Sequence, residues 1–216
     1  MNTATLHYLY DPFCGWCYGA APMVSAASEI EGLAINAHGY GLVSGPDSKL
    51  TSPQWRDFVR PHEERITAYS KQIFSPAYLQ NVLESTEVRL DSDPPIAAMM
   101  AAEALGGLGV AMLKRLQLAY YQQGRPIAEF DELLKEATAL GLDQGAFEAA
   151  YSQALGQVDS HINDTRAMVG QLGLRGVPGF ALEQDGQWQV FPFGHYLSRP
   201  ALFKADLQKA LQGSAE

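Results

Sequence analysis

The segment Cys14-Gly15-Trp16-Cys17 constrains this chain more than any other feature, because its two cysteines are the only ones among 216 residues. Two intervening residues place both thiols on one turn at a helix start, where a single disulfide can bridge them. Such a bridge closes a very small loop and restricts the unfolded chain little, so stapling is a poor reason for it. Structural zinc needs two further ligands. The five histidines, His7, His38, His62, His161 and His195, are scattered without a ligand pair at short spacing. Dithiol chemistry is the reading these observations favour.

The flanking residues sharpen it. Thr5 to Tyr10 is a β-prone run that stops at Asp11-Pro12, a dipeptide with turn character. Tyr18 to Ile30 reads as a helix, carrying Ala20, Met23, Val24, Ala27 and Ile30 at three- and four-residue steps. In the order strand, turn, dithiol, helix, Cys14 falls at a helix N-terminus, where open N–H groups and the helix dipole favour a thiolate. Cys14 is therefore expected as the exposed nucleophile. Cys17, one turn further in, is expected as the resolving thiol that attacks the mixed disulfide and releases substrate. Gly15 keeps the approach open. Trp16 either offers a flat apolar surface to a partner or shields the pair. Phe13 and Tyr18 either help hold a non-polar stretch of substrate or are buried supports.

A second signal lies far along the chain, at Leu174-Arg175-Gly176-Val177-Pro178-Gly179-Phe180. By itself Pro178 reads as a turn or edge residue, and nothing local reveals its isomer. Phe180 to Leu182 and Trp188 to Phe191 flank Asp185-Gly186, a strong hairpin turn. An amphipathic helix from about Arg199 to Leu211 follows. Earlier, Leu33 to Tyr40 reads as the second strand and Gly41 to Pro53 as a loop. Helical texture then extends from Trp55 to Asp159: Pro61 to Ile73, Pro76 to Leu83, a segment capped at Asp91-Ser92-Asp93 running to Leu105, Leu108 to Gln123, Ile127 to Leu140, and Gly145 to Leu155. Ser160 to Leu172 leads back to the proline loop. Gly106-Gly107-Leu108-Gly109 reads as a helix–helix corner.

Charge and composition exclude several classes. Fifteen basic residues against 24 acidic ones give a formal charge of −9, with no Lys/Arg cluster to offset it, which disfavours nucleic acid and anionic membrane as partners. The weakly polar stretch around Ile96 to Met112 is interrupted by Glu103 and is no membrane span. The N-terminal residues have neither a basic flank nor a signal-length apolar run, so a cytoplasmic location is expected. A dithiol there is normally reduced, and is catalytic more often than structural. No phosphate-cradling glycine loop, dinucleotide fingerprint or nucleophile elbow is present, and no cofactor or metal is expected.

Asp11-Pro12-Phe13-Cys14-Gly15-Trp16-Cys17-Tyr18-Gly19 together with Gly176-Val177-Pro178 resembles the DsbA-like branch of the thioredoxin superfamily, in particular its cytoplasmic-type, disulfide-isomerase-like members. The resemblance covers most of the chain. It implies an α/β fold: a thioredoxin-like core sheet from residues 1–53 and 160–216, with residues 54–159 as an inserted helical domain. It implies a protein-disulfide oxidoreductase or isomerase, with Cys14 as nucleophile and Cys17 as resolving thiol. Pro178 corresponds to the cis-proline packed against the dithiol, and Val177 to the residue whose backbone receives extended substrate by strand-like hydrogen bonds. Partners would be protein or peptide thiols and disulfides, plus a thiol electron donor or acceptor such as glutathione. A monomer or a homodimer would suit either role.

One departure stands out. Thioredoxins carry a buried acid six residues before the first cysteine, and Tyr8 stands there. Tyr10 shares the face of Tyr8, while His7 points the other way. No general base is assigned, and His7 and His38 read as ordinary strand-edge residues. Two other functions fit the same fold: an isomerase or transferase acting on a small glutathione-linked molecule, and a non-catalytic polypeptide-binding or chaperone-like module. Relatives with glutathione-transfer chemistry have a serine-like residue at the active position, and the two cysteines argue against that chemistry.

Overall fold

The computed structural model describes residues 4–213. β1 (Ala4–Tyr10) runs into the dithiol turn and α1 (Gly15–Ala27), and β2 (Leu33–Gly39) then returns parallel to β1. The chain leaves the sheet through β3 (Lys49–Leu50), α2 (Pro53–Ser70) and α3 (Pro76–Tyr78), which runs on into a π turn over Leu79–Leu83. β4 (Arg89–Leu90), α4 (Asp93–Gly106), α5 (Gly109–Tyr121), α6 (Phe130–Ala139), α7 (Gln144–Leu155) and α8 (Val158–Gln171) follow. β5 (Gly179–Gln184), β6 (Gln187–Val190), α9 (Phe193–Tyr196) and α10 (Pro200–Gly213) complete the fold. The main sheet has the order β2-β1-β5-β6, with only the β1–β2 pair parallel. This is the expected thioredoxin-like sheet with a large helical insertion.

β1 is central and buried on both sides, as a strand of alternating large residues covered by two layers must be. Tyr8 and Phe180 stack on the face beneath α1 and α10, with Phe203 of α10 edge-on to Phe180. On the opposite face His7 bonds His38 (2.9 Å) and Glu183 (3.1 Å), and His161 of α8 accepts from the Gly39 N–H (2.9 Å). His7 therefore lies on a central strand and not at an edge. Burial and the neighbouring His7 and His161 push His38 down to about 4, so it stays neutral at physiological pH. Asp185 and Gly186 both have positive φ (53° and 73°), the geometry of a tight hairpin between β5 and β6. A single buried cluster runs from Leu6 and Tyr8 through α1 to Leu133 and Phe147 of the helical segment.

Element boundaries shift where proline was taken for a start signal. α2 begins at Pro53, two turns before Pro61, because the Ser52 hydroxyl caps it by accepting the Trp55 N–H (3.1 Å) and Pro53 fits the first turn. Pro61 lies inside the helix and is tolerated there. α1 starts at Gly15, three residues before the expected Tyr18, ends at Ala27 and contains Pro22. The short β3–β4 ladder has no counterpart in the sequence expectations.

Gly124, just past α5, holds φ at +64°, and a Cβ there would fall 2.3 Å from the Ala77 carbonyl oxygen. Both the backbone angle and the close approach of α3 demand glycine. Gly124→Ala is expected to cost roughly 2 kcal/mol or more, measurable as a lowered denaturant midpoint. An unchanged midpoint would show that the α3–α5 contact yields freely.

Candidate active site

Cys14 is the N-cap of α1, with φ −82° and ψ 108°, and its Sγ accepts the Cys17 N–H at 3.3 Å. A sulfur replaces the usual capping oxygen, so one of the open N–H groups of the helix start is aimed at it. The Cys14 N–H donates to the Asp11 carbonyl (3.1 Å), which closes the turn that presents the thiol. Cys14, expected to be exposed, is buried with only 7% exposure because the proline loop and the helical wall close over it, and Cys17 has none; both are free thiols. Burial pushes the Cys17 thiol well above its ordinary range, and the hydrogen bond and charge of Cys14 push it further. Cys17 is thus held protonated beside a thiol that borders a cleft.

The proline loop meets the dithiol. Val177–Pro178 is a cis peptide, and the Cys14 thiol donates to the Val177 carbonyl at 3.8 Å. The structure therefore brings together Cys14, Cys17, Val177 and Pro178 from opposite ends of the chain. Gly15 serves the protein side: a Cβ there would lie 3.1 Å from Ile66 of α2, and one at Gly19 only 2.7 Å from the same side chain. The two glycines, four residues apart, let α2 lie against α1. Trp16 is half-buried. Its indole donates to His62 Nδ1 (3.4 Å), the Arg65 guanidinium lies 5.6 Å from its ring, and Phe193 stands edge-on at 6.3 Å. On one side it borders a groove with Val177 and Phe193; on the other, a cavity of about 160 Å³ shared with Cys14.

That cavity has Phe13 of the dithiol turn, Trp55, Phe58 and Glu63 of α2, and Tyr120 and Tyr121 of α5 among its walls. Phe13 is 6% exposed and edge-on to Tyr120. Tyr18 lies outside the cavity lining, 1% exposed and stacked on Tyr121. Its hydroxyl donates to Ile73 O (3.0 Å) and accepts from Gln122 (2.8 Å). Glu63 is buried and accepts from the Tyr78 hydroxyl (2.7 Å) and Arg60 (3.4 Å), while burial pushes its carboxyl above the usual range. The α2 residues of this wall escaped sequence reasoning, although Trp55, Val59 and Glu63 recur at four-residue steps, as do Phe58, His62 and Ile66.

Two buried groups shape the floor. The Tyr8 hydroxyl, at the position of the acid it replaces, donates to the Cys17 carbonyl (3.1 Å). It is pushed far up by burial and by the charges of Cys17 and Cys14, so it stays a donor and is no base. Asp11 is fully buried, accepting the Phe13 N–H at Oδ1 (2.9 Å) and the Leu42 N–H at Oδ2 (2.7 Å). Burial raises its carboxyl to about 6 against these donors. Sequence reasoning took Asp11-Pro12 for punctuation and missed the buried acid. Among the described residues no three His, Cys, Asp or Glu side chains converge to hold a metal, and no helix is long and apolar enough to cross a membrane.

The chemistry open to a cleft-lining thiol with a protonated thiol one turn behind it is dithiol–disulfide exchange, and the protein is a thiol–disulfide oxidoreductase on a thioredoxin-like fold. The DSBA-like thioredoxin domain family matches residues 5–208, and the chain belongs to that family. The cytosolic disulfide reductase DsbM from Pseudomonas aeruginosa is 45% identical, with a TM-score of 0.88, covering 96% of this chain and 98% of that one. The same protein solved with GSH is 42% identical in its alignment, again with a TM-score of 0.88, covering 96% and 99%. The oxidoreductase DsbA from Xylella fastidiosa shares the fold at 14% identity and a TM-score of 0.52, over 96% and 87% of the two chains. No curated protein matched the chain. The expected cytoplasmic location agrees with that of the 45% identical reductase.

Proposed function

We propose that this protein is a cytosolic disulfide reductase that takes electrons from glutathione and passes them to protein or peptide disulfides. Cys14 is the nucleophile: its thiolate attacks one sulfur of a substrate disulfide, the substrate S–S bond breaks, and the far half leaves as a thiolate. Cys17 then gives up its proton and attacks Cys14 Sγ, releasing the second half as a thiol and leaving the Cys14–Cys17 disulfide. Two glutathione thiols return the pair to the dithiol and leave as glutathione disulfide. Val177 offers its backbone edge to extended substrate beside Pro178, and Trp16 and Phe13 flank the reacting sulfur. Residues 54–159 act as an inserted domain whose α2 and α5 form the second wall of the cleft.

The observation that carries the reading is the unequal pair itself, one thiol on a helix cap with 7% exposure beside the cleft and the other wholly buried and protonated. The 45% identity to a cytosolic disulfide reductase, over nearly the full length of both chains, supports the direction of flow. The test is the reduction potential of the Cys14–Cys17 disulfide, titrated against a glutathione redox buffer with thiol trapping and mass readout. A value of about −250 mV or lower is expected for a reductase, whereas roughly −120 to −180 mV would make the protein an oxidant or isomerase.

A further inference from the structure

We propose that the cavity beside Cys14 is a leaving-group pocket, in which the Tyr121 hydroxyl donates a hydrogen bond to the sulfur that departs when Cys14 attacks a substrate disulfide. The inference rests on Cys14 being the nucleophile. Tyr121 is 1% exposed, lines the cavity that Cys14 borders, and its hydroxyl has no partner among the described residues. The indole N–H of Trp55, another wall residue, is also unpartnered. Neighbouring phenols in the same aromatic cluster are satisfied: Tyr18 donates to Ile73 O and Tyr78 to Glu63. A buried hydroxyl without a partner is costly, and phenylalanine would pack equally well. The open donor therefore points to a ligand atom that arrives with substrate.

The walls select the kind of atom. Phe13, Phe58 and the tyrosine rings are apolar, so a well-hydrated group gains nothing there. A carboxylate would also meet Glu63, whose oxygens are already engaged by Tyr78 and Arg60. A departing thiolate is large, polarisable and weakly hydrated, and needs only one or two donors. As Cys14 Sγ bonds to the near sulfur, the substrate S–S bond breaks and its electron pair goes to the far sulfur. The Tyr121 O–H shares its hydrogen with that sulfur and keeps its own proton, and water protonates the thiolate after release.

Hydrogen bonding to a leaving thiolate helps most where the thiol is a poor leaving group. Reduced wild-type protein and Tyr121→Phe would be mixed in single turnovers with small symmetrical disulfides, from aryl (acidic leaving thiols) to alkyl (basic ones). Tyr121→Phe is expected to be slowed about tenfold with alkyl disulfides and by less than about twofold with aryl ones, steepening the dependence on leaving-thiol pKa. Equal slowing across the series, or none, would overturn the inference while leaving Cys14 as nucleophile. So would an altered Cys14 titration in Tyr121→Phe, since the hydroxyl would then act on Cys14 itself. If wild-type protein reduced none of the disulfides, the underlying reading would fail with it.

Discussion

Replacing Cys17 with serine is expected to arrest the enzyme as a mixed disulfide with its substrate, and replacing Cys14 with serine to remove turnover. The two variants differ because the two thiols differ in access. Cys14, on the N-cap of α1, borders the cleft with 7% exposure and receives the Cys17 N–H, whereas Cys17 has no exposure. The charge and hydrogen bond of Cys14 add to the burial that keeps Cys17 protonated. A mixed disulfide at Cys14 removes what Cys14 contributes to holding the Cys17 thiol up, so the resolving thiol becomes easier to ionise just when it is needed. Cys17→Ser forms the adduct normally and cannot leave it. Turnover is expected to fall by roughly three orders of magnitude or more in either variant, about 4 kcal/mol of barrier. Non-reducing gels and intact mass should show stable adducts for Cys17→Ser and none for Cys14→Ser. Retained function in Cys14→Ser would instead mean a binding module that uses the cleft without turnover.

The dithiol, the strand before it, the β5–β6 hairpin and the terminal helix were all legible in the chain, because each rests on a local rule. A helix start beside a cysteine pair, a two-residue Asp-Gly turn and a 3.6-residue stripe are short-range physics. What was not legible depends on residues distant in sequence. The cleft wall at Trp55, Phe58 and Glu63 sits on the first three turns of α2, most of which fell outside the helix expected to start at Pro61. A proline inside a helix removes one hydrogen bond and disfavours the preceding turn, yet here the Ser52 cap and the face packed on α1 through Ile66 offset it. Tyr8 was placed correctly beneath the dithiol, but only the structure shows its hydroxyl holding the Cys17 carbonyl. Asp11 reads as a strand stop until β2 and its following loop bring the Leu42 N–H within 2.7 Å.

Asp11 carries the second large expectation. Its two oxygens accept different backbone donors, Phe13 N–H in the dithiol turn and Leu42 N–H in the loop after β2, so it clamps the turn that presents Cys14 to the sheet edge. Asp11→Ala strands both N–H groups in a buried site and is expected to cost roughly 2–5 kcal/mol. Asp11→Asn is more informative. An amide has one oxygen, so one of the two donors would face an NH2, and the variant should lose about 2 kcal/mol at low pH. The wild-type side chain also titrates. Burial raises its carboxyl from 3.8 to about 6, so between those values the folded protein holds a proton that the unfolded chain has released. That contribution is fully present below about pH 4 and is lost as pH rises through about 6, a swing of roughly 3 kcal/mol. Asn cannot ionise, so the gap of about 2 kcal/mol in favour of wild type at pH 4 should close and reverse to roughly 1 kcal/mol in favour of Asp11→Asn at pH 8, by denaturant melts at each pH. A gap independent of pH would place the titration elsewhere. The Asp11 charge also helps push the Cys17 thiol up, so resolution of the mixed disulfide at pH 7 should run at least as fast in Asp11→Asn. A slowed step would instead make this carboxylate the acceptor of the Cys17 proton, in the place of the acid that Tyr8 replaces.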